Sequence, residues 1–141
     1  MSERIVTIYK RKDGIIYLHR HDKSSMGIFI GCPPFIKIDP CCIEQLPNTV
    51  NELLAVEPKV IEHPKTFNQL DPLYKLAGCG NWKNFASGTL CFEISNNNGE
   101  IKLSHTKKDG AGFTSLPDPV SLGTSVEFEI LLKAAPELSE I

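Results

Sequence analysis

The 141-residue chain has no apolar stretch near the roughly 20 residues that a membrane-crossing helix needs; runs such as Ile28-Phe29-Ile30 and Ile130-Leu131-Leu132 are far too short. It also lacks paired cysteines two to four residues apart, the spacing on which structural zinc sites are built. Its five cysteines, Cys32, Cys41, Cys42, Cys79 and Cys91, are odd in number and irregularly placed, so they read as reduced thiols rather than as a disulfide framework. Adjacent residues of an extended chain point apart, so Cys41-Cys42 is expected to be a poor chelating pair. Neither a dense basic surface nor a glycine pattern opening a helix is present, which leaves nucleic-acid binding and phosphate cradling unsupported. No internal repeat and no low-complexity segment appear.

What remains is the composition of one folded domain spanning residues 1–141, 41% hydrophobic and 23% charged, with a net charge of −2. Met1-Ser2-Glu3-Arg4 leads directly into an alternating pattern without the apolar core of an export signal, so a cytoplasmic location is expected. Charge is unevenly spread. Residues 1–23 are basic, whereas residues 39–62 carry Asp39, Glu44, Glu52, Glu57 and Glu62 against Lys59 alone. An acidic bias of this kind steers a basic partner.

Period-two alternation marks the strands. Ile5, Thr7 and Tyr9 alternate with Val6, Ile8 and Lys10, and Asp13-Gly14 supplies a tight turn into Ile15-Ile16-Tyr17-Leu18. A short third strand is expected at Gly27–Gly31, bounded by Pro33-Pro34. The clearest hairpin joins residues 89–95 to residues 100–105 through Asn96-Asn97-Asn98-Gly99. Residues 125–132 read as a last strand, and Thr106–Gly112 and Pro117-Asp118-Pro119 as loops. Between the strands, Thr49-Val50-Asn51-Glu52 fits a capping box opening a helix that Pro58 stops. A second helix starts either at Thr66-Phe67-Asn68-Gln69 or at Asp71 with Pro72 in its first position and Gly78 past its end. The expected fold is α+β: a single layered domain with a largely antiparallel sheet and two or so helices on one face.

No residue set reads as catalytic, and no metal or cofactor is expected. His19 and His21, two apart on a strand, share a face, but Arg20, Asp22 and Lys23 around them suggest the polar end of a hairpin. An alternative, a small enzyme with a Cys/His pocket, would draw on Cys32, Cys79, His63 and His105. A third reading is a structural adaptor domain. Trp82 fits either a core aromatic at the helix–sheet junction or an interface anchor.

In size, in its irregular α+β order and in segments such as Leu76-Ala77-Gly78-Cys79-Gly80-Asn81-Trp82-Lys83-Asn84-Phe85 followed by strand pairs, the chain resembles bacterial toxin-immunity proteins, in particular those of contact-dependent growth inhibition systems. The resemblance implies a protein that binds the C-terminal domain of a cognate toxin and occludes its active site, with no membrane or direct nucleic-acid contact. Nuclease toxins are basic, and the complementary acidic surface is then expected among Glu44, Glu57, Glu62 and Asp71, with Trp82 as the anchor.

Overall fold

A computed structural model describes residues 3–66, 68–110 and 112–139. Its strands are β1 (Arg4–Lys10), β2 (Ile16–Ser24), β3 (Phe29–Ile38), β4 (Val60–Ile61), β5 (Leu90–Asn97), β6 (Glu100–Asp109), β7 (Gly112–Ser115) and β8 (Val120–Gly123). They form one sheet in the order β3-β2-β1-β5-β6-β7, with β8 beside β6 and β4 beside β2. Every pairing is antiparallel except the short parallel contact of Lys23 and Ser24 with Val60 and Ile61. The α+β class and the largely antiparallel sheet expected from the sequence are thus observed, whereas the helices, expected on one face, are found on both.

Turn chemistry sets the registers. Asn98 and Gly99 both have positive φ, 58° and 88°, the pair of left-handed residues that a two-residue hairpin requires. The Asn96 carboxamide oxygen accepts from the Gly99 amide at 3.0 Å and braces the turn. At the other hairpin Gly14 has φ 83°, and the Asp13 carboxylate accepts from the Ile15 amide at 3.0 Å.

Even-numbered residues of β1 and β2 (Val6, Ile8, Ile16, Leu18) face a main core completed by Phe92, Ile94, Ile101 and Leu103. Two helices cover it. From α1 (Leu46–Ala55) come Leu46, Val50, Leu53 and Leu54, and from α4 (Phe128–Ala134) comes Leu131, all buried. Each such side chain contributes roughly 1.5–3 kcal/mol by leaving water. The Asn51 side chain ties the two helical regions together, donating to the Val126 carbonyl and accepting from the Val126 amide, both at 2.9 Å.

Two further helices, α2 (Asp71–Leu76) and α3 (Trp82–Ala86), lie over part of the opposite face, where Tyr9, Tyr17, Leu73, Phe85 and Cys91 form a second cluster. Six and five residues are too few for an isolated helix, so both depend on the side chains they insert. Gly78, with φ 72°, closes α2 through its amide to the Lys75 carbonyl, while the Cys79 amide reaches the Tyr74 carbonyl. Asn81 caps α3 by accepting from the Asn84 amide at 2.9 Å.

Several sequence expectations are corrected. Helix α1 begins three residues before Thr49, with Pro47 in its first turn, and the Thr49 hydroxyl donates back to the Gln45 carbonyl at 3.0 Å, so no capping box forms. The second helix takes the shorter of its two expected courses, starting at Asp71; Phe67 lies outside the described residues. Strand β3 does not stop before Pro33-Pro34 but runs through them, because the register shifts between Leu18 and Arg20 and frees these residues from the ladder. The segment expected as a terminal strand is largely helix α4, and β6 with β7 make a hairpin where a loop was expected, with Ala111 outside the described residues.

Candidate functional site

The second sheet face carries the unusual chemistry. Cross-strand pairing sets His19, Thr7, Glu93 and Ser104 in one row, with Tyr17, Tyr9, Cys91 and Thr106 along the next. His21 is beside His19 on β2, their ring centroids 4.9 Å apart. The shared face was legible in the sequence, but the polar hairpin end expected there is instead a buried setting. His19 is only 1% exposed, because β2 is an interior strand and Leu70 and Phe35 pack over it. Gly31 leaves the room: a Cβ there would stand 2.8 Å from both the His19 ring and the Leu70 methyl.

Hydrogen bonds assign the His19 tautomer. Its Nδ1–H donates to the Arg20 carbonyl at 3.0 Å, so Nε2 is bare and accepts from the Tyr9 hydroxyl at 3.2 Å. His21 Nε2 is 2.7 Å from the Thr7 hydroxyl, while its Nδ1 is buried without a hydrogen-bond partner. Burial pushes His19 down to about 4, against a smaller upward pull from the Arg20 carbonyl. Burial, then the neighbouring His19, pushes His21 down to about 3. Both rings are therefore neutral at physiological pH.

On the other side of β2, Arg20 pairs with Asp22 at 2.7 Å. Burial alone would raise the Asp22 carboxyl, but the Lys59 amide at 3.0 Å and the Arg20 guanidinium outweigh it and hold the group below its usual range. Glu93 is raised, by burial and then by Glu3.

The four groups of the Cys/His reading lie in four places. Cys32 is buried on β3 with its thiol toward the Arg20 carbonyl, and burial pushes it up to about 12, far from thiolate chemistry. Cys79 sits in the aromatic cluster, and His63 is 3.1 Å from the Ser24 hydroxyl. His105 lines a cavity of about 270 Å³ with Cys91, Thr106, Lys107 and Lys108, its ring 3.8 Å from Glu137. Cys91 in that cavity is also pushed up to about 12 by burial.

Of the residues assigned to partner binding, Glu44, Glu57, Glu62 and Asp71 are all exposed. Glu44 lies in a 3-10 turn, Pro40–Gln45, ahead of α1, and Asp71 opens α2. Glu57 and Glu62 flank β4, which is laced to the end of β2 through Lys23 N–H to the Lys59 carbonyl and Ser25 N–H to the Ile61 carbonyl. That end of the sheet also shows exposed apolar side chains the sequence reading missed: Met26 at 69%, Ile28 at 47% and Val60 at 78%. Trp82 is half-buried among Tyr9, Tyr74, Phe85 and Phe113, with ring centroids 5.8–6.1 Å away. It serves the second core.

No known family profile and no curated protein matches the chain. Solved structures do match in fold, which is a single-sheet α+β fold carried over the whole chain. A protein of unknown function from Neisseria meningitidis superposes with a TM-score of 0.69 at 14% identity, covering 98% of this chain and 93% of that one. A chain of the CdiA-CT/CdiI toxin and immunity complex from Yersinia pseudotuberculosis superposes with a TM-score of 0.69 at 14% identity, covering 99% of both. The resemblance to contact-dependent growth inhibition systems is thereby met at the level of the fold. Among the described residues, no helix is long and apolar enough to cross a membrane.

Proposed function

We propose that this chain is a cytoplasmic bacterial immunity protein that binds the C-terminal domain of a cognate toxin and occludes its active site. The carrying observation is the end-to-end likeness of its fold to a chain of a toxin and immunity complex. The site chemistry fits a binding role: the buried histidines are neutral, and the thiols of Cys32 and Cys91 are held protonated.

The contact surface in this reading centres on Met26, Ile28 and Val60, an apolar patch of the kind that marks association sites, with Glu57 and Glu62 on its rim. Glu44, in the turn beside Gly14 at the other end of the sheet, and Asp71, at the start of α2 on the second face, stand apart from this patch and add acidic charge that favours a basic toxin, a nuclease being the activity this charge suits.

Titrating the purified protein with the toxin domain encoded beside it tests the function, and absence of binding overturns it. The surface is tested separately by Glu57→Lys with Glu62→Lys. Association should slow by about tenfold or more at low ionic strength. An unchanged rate would move the interface elsewhere.

A further inference from the structure

Cys41 and Cys42 have their sulfurs 3.6 Å apart, contrary to the divergence expected of neighbours in an extended chain. The 3-10 turn that holds them is broken at Cys42, where φ is −116° and ψ 22°, and this bend brings consecutive side chains to one side. Cys41 is exposed, and Cys42 is half-buried against the main core. The other three thiols are placed differently. Cys32 and Cys91 are buried, and the Cys79 sulfur is 3.8 Å from the Ala77 carbonyl within the aromatic cluster.

We propose that Cys41 and Cys42 form a dithiol site for a soft trivalent metalloid of the arsenite class. Taking a metal–sulfur bond of about 2.3 Å, a 3.6 Å separation subtends about 100° at the bound atom, the angle of a pyramidal or tetrahedral centre. Linear copper(I) would need the sulfurs roughly 4.6 Å apart at the same bond length. Tetrahedral zinc needs three or four protein ligands, and among the described residues no group of three or more His, Cys, Asp or Glu side chains is gathered to hold a metal. A trivalent metalloid brings its own third ligand, so two thiolates complete it. Soft sulfur donors match its softness.

Oxidation to a disulfide competes poorly. Adjacent α-carbons are about 3.8 Å apart, short of the roughly 4.4 Å minimum of ordinary disulfides, so a bridge here would be strained and easily reduced. Capture of phenylarsine oxide replaces two S–H bonds by two S–As bonds. The two protons leave with the oxide oxygen as one water, and arsenic remains trivalent.

The test titrates the intact protein, reduced with a phosphine, with one equivalent of phenylarsine oxide and reads the mass. The expected result is a single adduct and a loss of two titratable thiols. Cys41→Ser and Cys42→Ser should each reduce the adduct by tenfold or more, while Cys79→Ser keeps it. In the wild type, peptide mapping after alkylation should show Cys41 and Cys42 protected together, a readout independent of how the variants fold. No adduct in the wild type, or an adduct surviving in Cys41→Ser with alkylation blocked elsewhere, overturns the site.

Discussion

The buried histidine pair should make this protein acid-labile well above the pH at which carboxylates titrate. His19 and His21 have folded-state values of about 4 and about 3, whereas an unfolded histidine titrates near 6.5. Both shifts are downward for a base, so the unfolded chain binds protons first. The stabilisation is whole above about pH 6.5 and drains away as pH falls toward the folded values. Each pH unit in that window costs about 1.4 kcal/mol per histidine, so at about pH 4.5 the pair has lost roughly 5 kcal/mol, comparable with the total stability of an ordinary domain. Asp22, held low, adds to the loss only at more acid pH. Glu93, held high, works the other way, since its folded form takes up a proton first, and it offsets part of the slope. Urea midpoints measured from about pH 7.5 to 4.5 give the slope directly. The double variant His19→Gln with His21→Gln should flatten it over that range, whatever its absolute stability. A wild-type midpoint that stays level to about pH 4.5, or a double variant that falls as steeply as the parent, would refute the reasoning.

Removing the Asn51 clamp with Asn51→Ala should cost roughly 2 kcal/mol in chemical denaturation, two hydrogen bonds at about 1 each; a change below a few tenths would show that α1 and the Val126 segment hold together without it. Gly31→Ala should destabilise by roughly 1–3 kcal/mol, because the added methyl meets both the His19 ring and Leu70. A neutral melting shift would mean that Leu70 yields freely. Thr7→Val alone should cost roughly 1–3 kcal/mol by stranding His21 Nε2, yet combined with His21→Leu it should recover most of that loss. Equal losses in the single and double variants would rule out the stranded nitrogen as the cause.

The hairpins were readable because their information is local: Asp13-Gly14 and Asn98-Gly99 need nothing from the rest of the chain. Helix α4 was misread because Val126, Phe128, Ile130 and Leu132 alternate as a strand would, although Phe128, Leu131, Leu132 and Ala135 also share one helical face. The structure buries Leu131 and Ala135 and leaves Ile130 40% exposed, so the 3.6 period prevails. The outer half of β6 showed no alternation, since its Lys107, Lys108 and Asp109 are exposed on either side. The shared face of the histidine pair is legible on its strand but its burial is not, because that burial comes from Leu70 and Phe35, well along the chain. Likewise the convergence of Cys41 and Cys42 depends on a bend at one residue that no periodicity announces.

The prolines of β3 have a consequence for the company this sheet keeps. β3 is an outer strand, and near its middle Pro33 and Pro34 leave two consecutive positions with no amide hydrogen to offer. A strand laid along that side would meet a gap in the ladder, which disfavours pairing of a second copy along the β3 edge.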